Sequence, residues 1–180
     1  DIGELLRKLQ PNHPVYCVYP HVYRQAAEHF VANFPGRVLY AVKANNHPLV
    51  LNALSSGGVE HFDCASAREI ELVRSLLPDA TCYFMNPIRI EGDACRAREE
   101  YGTRHFMVDH ISGLAPLLDE IDPRQSVIFA RMAVSHHSAM VDLSTKFGAP
   151  PDDIPEILQH PELRRRARTC FQCRHRCDGA

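Results

Sequence analysis

The chain has 180 residues, 45% of them hydrophobic, with 20 Lys+Arg against 22 Asp+Glu and a formal net charge of -2 at pH 7. That length supports one domain with a real core and is too short for a complete large barrel, and the near-neutral balance gives no footing to a nucleic-acid or acidic-membrane partner. No apolar run approaches the length of a membrane span, and no basic stretch followed by an apolar core opens the chain, so the expectation is a cytoplasmic protein.

Taken in order, residues 2–9 carry leucines at helical spacing and stop before Pro11, which predicts a short helix. Residues 15–19 read as a strand and 21–34 as an amphipathic helix closed by Pro35-Gly36. The run Val38-Leu39-Tyr40-Ala41-Val42-Lys43-Ala44-Asn45 then predicts a buried strand that delivers one amine to its C-terminal end. A lysine there either snorkels to solvent or pairs with a carboxylate, or its amine, discharged by burial, serves as a nucleophile toward an aldehyde cofactor. Lysine is scarce in this chain, at positions 8, 43 and 146 only, which makes Lys43 more informative than most.

Pro48 opens the next helix and Gly57-Gly58 end it. A strand from Val59 towards Asp63 leads into Ser66-Ala67-Arg68-Glu69, a capping box that starts a helix over 69–77; capping is the reading preferred for Glu69. Strands over 82–85, 105–108 and 126–132 alternate with helices over 91–101, closed by Gly102, and 112–121. Alternation of this kind implies parallel βα units. Lys43, Asp63, Asn86, Asp109 and Arg131 end successive strands at steps of 20 to 23 residues, about one βα unit each. In a closed parallel barrel those ends share one mouth, where such barrels keep their active sites. A doubly wound sheet would usually carry a G-x-G-x-x-G turn after its first strand, and none occurs here. The fold expected is therefore α/β, part of a (β/α)8 barrel.

Of the seven cysteines, Cys17, Cys64, Cys82 and Cys95 lie in apolar stretches and read as small buried hydrophobes in a reducing compartment. Cys170, Cys173, His175 and Cys177 are spaced more tightly than common zinc sites, and the adjacent His136 and His137 point apart, so no metal site is assigned.

Together, Tyr40-Ala41-Val42-Lys43-Ala44-Asn45, Phe62-Asp63-Cys64-Ala65-Ser66, Asn86-Pro87 and Leu143-Ser144-Thr145-Lys146-Phe147-Gly148-Ala149 resemble the pyridoxal-phosphate-dependent decarboxylases of basic amino acids, ornithine decarboxylase and its diaminopimelate and arginine relatives. The resemblance spans about residues 14–150 and implies an alanine-racemase-like barrel whose C-terminal strands and β-domain are missing here. It implies pyridoxal 5'-phosphate as cofactor, Lys43 as the catalytic lysine bound to it, and Ala41, Asp63 and Arg131 as cofactor-site residues. It also implies Lys146 at a homodimer interface and a basic amino acid as substrate. From the residues alone, Asp63 also suits a helix N-terminal acid, and Arg131 also suits a bridge to Asp63 or Asp109.

The resemblance fails towards the end. Where the family stacks a histidine on the cofactor ring stands Gln172, with Arg174 in place of a glycine, and residues 164–180 form an atypical tail rich in Arg, Cys and His. Domain limits are thus expected at 1–163 and 164–180, and the chain alone is expected to decarboxylate poorly. A non-catalytic, decarboxylase-like regulatory binding protein and an amino-acid racemase are the alternative readings.

Overall fold

The computed structural model describes residues 1–133 and 147–163. Five strands, β1 (Leu39–Ala41), β2 (His61–Cys64), β3 (Thr81–Phe84), β4 (His105–Val108) and β5 (Val127–Ala130), form one sheet in the order β1-β2-β3-β4-β5. Every pairing is parallel. Strand order follows chain order without reversal, as in a barrel wall and unlike a doubly wound sheet, whose order reverses at a switch point. The helices are α1 (Ile2–Leu9), α2 (Pro20–Asn33), α3 (Pro48–Ser56), α4 (Ala67–Leu76), α5 (Asp93–Tyr101), α6 (Leu114–Glu120) and α7 (Ile154–Leu158). No helix among the described residues is long and apolar enough to cross a membrane.

The period of two along each strand sorts side chains between two faces. On the helix-facing side Phe62, Phe84 and Phe106 are fully buried and pack with Val50, Leu51, Ile70, Val73, Leu114 and Leu117 from the crossover helices. Cys64, Phe84, Phe106 and Ile128 form one register row of that layer. Helices α2 and α3 meet at Gly57, where a Cβ would lie 2.6 Å from both Ala27 Cβ and the Arg24 carbonyl oxygen, so only glycine fits without displacing α2.

Local signals explain most boundaries. Ser66 Oγ accepts the Glu69 N–H at 3.2 Å, while the Glu69 carboxylate reaches back to the Ala65 N–H at 2.7 Å, so the predicted capping box exists, one residue wider than expected. Helix α5 begins after Gly92, which has no side chain to cap it; Glu120, the last residue of α6, accepts the N–H groups of Gly92, Ala94 and Cys95 at 2.9 to 3.1 Å. We expect Glu120→Ala to destabilise the chain by about 2 kcal/mol, because three N-terminal donors and a favourable charge–dipole contact lose their partner. Urea unfolding beside wild type measures it.

Two expectations fail. Residues 15–19 form no strand: β1 is the edge of the described sheet, and Tyr16 is 96% exposed. Their β-branched and aromatic composition satisfies local propensity but meets no partner strand. For the same reason Cys17 is exposed, as is Cys95 on the outer side of α5, whereas Cys64 and Cys82 are buried as predicted. The expected tail over 164–180, with Cys170, Cys173, His175 and Cys177, Gln172 and Arg174, lies outside the described residues, as do His136 and His137.

Candidate functional site

Because all five strands run parallel, their C-terminal ends form one rim. The lysine strand is shorter than predicted. It ends at Ala41, and Val42–Ala44 turn as a 3-10 helix that leaves Lys43 exposed instead of buried. The turn is fixed on both sides. Val42 is fully buried beneath it, and the Tyr40 hydroxyl donates to the Asn45 carbonyl at 3.2 Å, with the Asn45 amide 3.5 Å from the Tyr23 hydroxyl. Burial, and then the neighbouring Tyr23, raise the Tyr40 pKa, so this phenol stays protonated and keeps its donor role.

Ala41 and Asp63 are register partners, so two of the predicted site residues sit side by side with Lys43 two positions further along. Asp63 is half-buried, and the Glu69–Ala65 cap holds the backbone immediately after it. Arg131 follows β5, three strands from Asp63, and is 7% exposed. Its N–H donates to the Val108 carbonyl at 2.8 Å, and its guanidinium lies 4.8 Å from the centroid of the Phe147 ring. Segment 147–149 returns to this edge. The Gly148 N–H donates to the Asp109 carboxylate at 3.0 Å, and Ala149 bridges to Met132 as a parallel neighbour. Lys146 lies outside the described residues.

On the face opposite the helices, His61, Tyr83, His105 and Phe129 form a ring ladder, in which Tyr83 is the register partner of Asp63. Centroids are 5.7 Å apart edge-on between His61 and Tyr83, 4.0 Å stacked between Tyr83 and His105, and 6.1 Å between His105 and Phe129. The Arg37 guanidinium reaches the Tyr83 hydroxyl at 3.4 Å. His61 Nδ1 is buried with no hydrogen-bond partner among the described residues. Burial, and then the nearby Arg37 charge, hold the His61 pKa below the ordinary histidine value, with Glu60 opposing. A depressed pKa gives stability that is complete above the ordinary histidine pKa and is lost as pH falls through the lower value of the folded state. We therefore expect the melting temperature to fall on mild acidification, and to fall less steeply in His61→Gln; parallel pH-dependent melts decide it.

Sequence reading missed this ladder, because its four members are ordinary strand residues until the sheet brings them together on one face. It also missed Arg89, whose guanidinium donates to the Asn86 and Met107 carbonyls at 2.9 and 2.6 Å. A lone cation between Ile88 and Ile90 just after the Asn86-Pro87 turn was the available signal.

A parallel βα wall that carries a lysine, a carboxylate and a buried arginine along the C-terminal ends of its strands has the form of a βα-barrel wall, the edge at which such barrels keep their sites. The family model described as pyridoxal-dependent decarboxylase, pyridoxal binding domain, matches residues 21–165, and the chain belongs to that family. Pyridoxal phosphate is the cofactor of this domain. The lysine/ornithine decarboxylase of Selenomonas ruminantium is 36% identical over 123 residues, which are 68% of this chain and 30% of that protein. The ornithine decarboxylase of Leishmania donovani is 35% identical over 127 residues, 68% of this chain and 17% of that protein. Among solved structures, the lysine/ornithine decarboxylase of Vibrio vulnificus complexed with putrescine superposes with a TM-score of 0.74 at 26% identity, covering 94% of this chain and 44% of that one. The arginine decarboxylase of Paramecium bursaria Chlorella virus bound to agmatine shares the fold, with a TM-score of 0.78 at 24% identity over 87% of this chain and 42% of its own. The chain thus corresponds to part of a decarboxylase barrel and spans less than half the length of these relatives.

Proposed function

We propose that this chain is the lysine-bearing barrel segment of a decarboxylase acting on a basic amino acid, with Lys43 as the lysine that takes the cofactor's aldehyde. The observation that carries this reading is the rim itself: Lys43 follows Ala41, and Ala41 is the register partner of Asp63. The donor set fits the cofactor's chemistry. An amine meets a carbonyl, the methyl side chain of Ala41 leaves room beside it, Asp63 supplies a carboxylate, and the Arg131 guanidinium supplies a cation suited to a phosphate.

When bound, pyridoxal phosphate supplies the electron sink for loss of carbon dioxide. The chain's own residues do the rest. Val42 and the Tyr40–Asn45 hydrogen bond orient Lys43; Asp63, the register partner of Ala41, supplies a carboxylate suited to positive charge on the bound group; the capped Ala65–Ser66 turn holds Asp63. The relatives' preference for lysine, ornithine or arginine supports a basic amino acid as substrate. We further assign Lys146 to contacts with a second subunit, the limits of the barrel segment to 1–163, and the chain to the cytoplasm, in keeping with the free, buried Cys64 and Cys82.

The test is to add pyridoxal phosphate to the purified chain, trap with borohydride and map the modified peptide, with carbon dioxide release from ornithine, lysine and arginine followed in parallel. Modification confined to Lys43 supports the reading. Labelling spread over lysines in proportion to exposure, with none favoured, would sink it.

A further inference from the structure

The β3–β4 seam has the shortest register in the sheet. It pairs only Tyr83 with His105 and Phe84 with Phe106, whereas β2–β3 and β4–β5 each pair over four positions. Towards the rim the two strands therefore part company, and a parted seam leaves strand carbonyls without ladder partners. Along a strand successive carbonyls alternate sides. Val108 O accepts from Arg131 N on the β5 side, so Met107 O faces β3. Arg89 fills that gap: one nitrogen, Nη1, donates to Met107 O on β4 and to Asn86 O just past β3.

This placement is costly for the side chain. Arg89 is half-buried and burial acts against its charge, offset in part by the Glu120 and Asp109 carboxylates, neither of which is within ion-pair distance. Among the described residues its hydrogen bonds go to those two carbonyls, so the cation sits there as a clamp between them. It also belongs to a series around the rim. Asn86 Nδ2 donates to Ala65 O at 3.1 Å, tying β3 to β2 just after Asp63; Arg89 ties β3 to β4; Asp109, at the end of β4, holds Gly148 beside Arg131 and Phe147.

We propose that Arg89 is a side-chain rung that closes the β3–β4 seam and so fixes the separation of Asp63 on β2 from Arg131 after β5, a positioning residue for the cofactor site. The consequence for the cofactor rests on the decarboxylase reading; the closing of the seam does not.

The test compares the full 180-residue chain as wild type, Arg89→Met and Arg89→Lys. Amide hydrogen exchange is read over rim peptides 83–89 and 106–110, and pyridoxal phosphate affinity by absorbance titration well below each variant's melting point. In Arg89→Met exchange at those peptides rises, and affinity drops by about tenfold, the lower end of what a lost supporting contact costs at a bound-ion site. Arg89→Lys keeps a cation and its donors without the planar fork and recovers part of both. Wild-type exchange in Arg89→Met overturns the rung, and raised exchange with wild-type affinity overturns its link to the site. If wild type itself takes up no cofactor, the decarboxylase reading has failed and exchange alone decides the rung.

Discussion

Lys43→Ala is expected to abolish the borohydride-trapped modification while leaving the fold intact. Lys43 is exposed and follows the sheet, so truncation is expected to stay within about 0.5 kcal/mol of wild-type stability, as for most surface substitutions. That separation makes the experiment informative, because loss of labelling cannot then be blamed on unfolding. Scarcity of lysine sharpens it further. Lys8 is exposed on α1 and offers an ordinary amine as an internal background, and Lys146 lies on a different peptide. Peptide mass mapping therefore distinguishes a built site from random reaction. Lys43→Arg is the stricter companion, since it keeps the charge near Asp63 but has no amine able to condense with an aldehyde. Equal labelling of Lys43→Ala and wild type would remove Lys43 from the site altogether.

The features legible in the sequence are those fixed by chain-local rules. The even spacing of Lys43, Asp63, Asn86, Asp109 and Arg131 follows from the length of a βα unit, and it placed the rim before any contact was seen. Ser66 and Glu69 announced the start of α4 because a capping box is a four-residue device. What escaped depends on partners far along the chain. Residues 15–19 have strand composition but no strand to pair with; Glu120 caps a helix 26 residues before it; Arg89 matters only because β3 and β4 diverge. Lys43 falls between the two. Its position at the strand end was readable, but its exposure follows from a 3-10 turn at Val42–Ala44 that the apolar run disguised as more strand.

The second large effect falls on Gly148. Its φ is +101°, and a Cβ built there would lie 2.6 Å from Ala133 N and 2.8 Å from Ala133 Cα, both backbone atoms that cannot swing aside. Gly148→Ala thus combines a left-handed backbone penalty with a steric clash, and we expect it to cost about 3 kcal/mol. Gly113→Ala is the control: φ is −83° and nothing lies within 4 Å of the added methyl, so it should be neutral or slightly stabilising. Because the clash sits where 147–149 docks, relief comes first by detachment of that segment. The hydrogen bonds from Gly148 N to Asp109, from Ala149 N to Arg131 O and from Ala133 N to Ala149 O go together, and Phe147 leaves the Arg131 guanidinium. Denaturant unfolding and hydrogen exchange at Ala133 and Ala149 would register both losses, and a weaker hold on pyridoxal phosphate should accompany them if Arg131 serves its phosphate. A Gly148→Ala chain within about 0.5 kcal/mol of wild type, with Ala149 still protected, would mean that this turn does not hold the rim as the geometry requires.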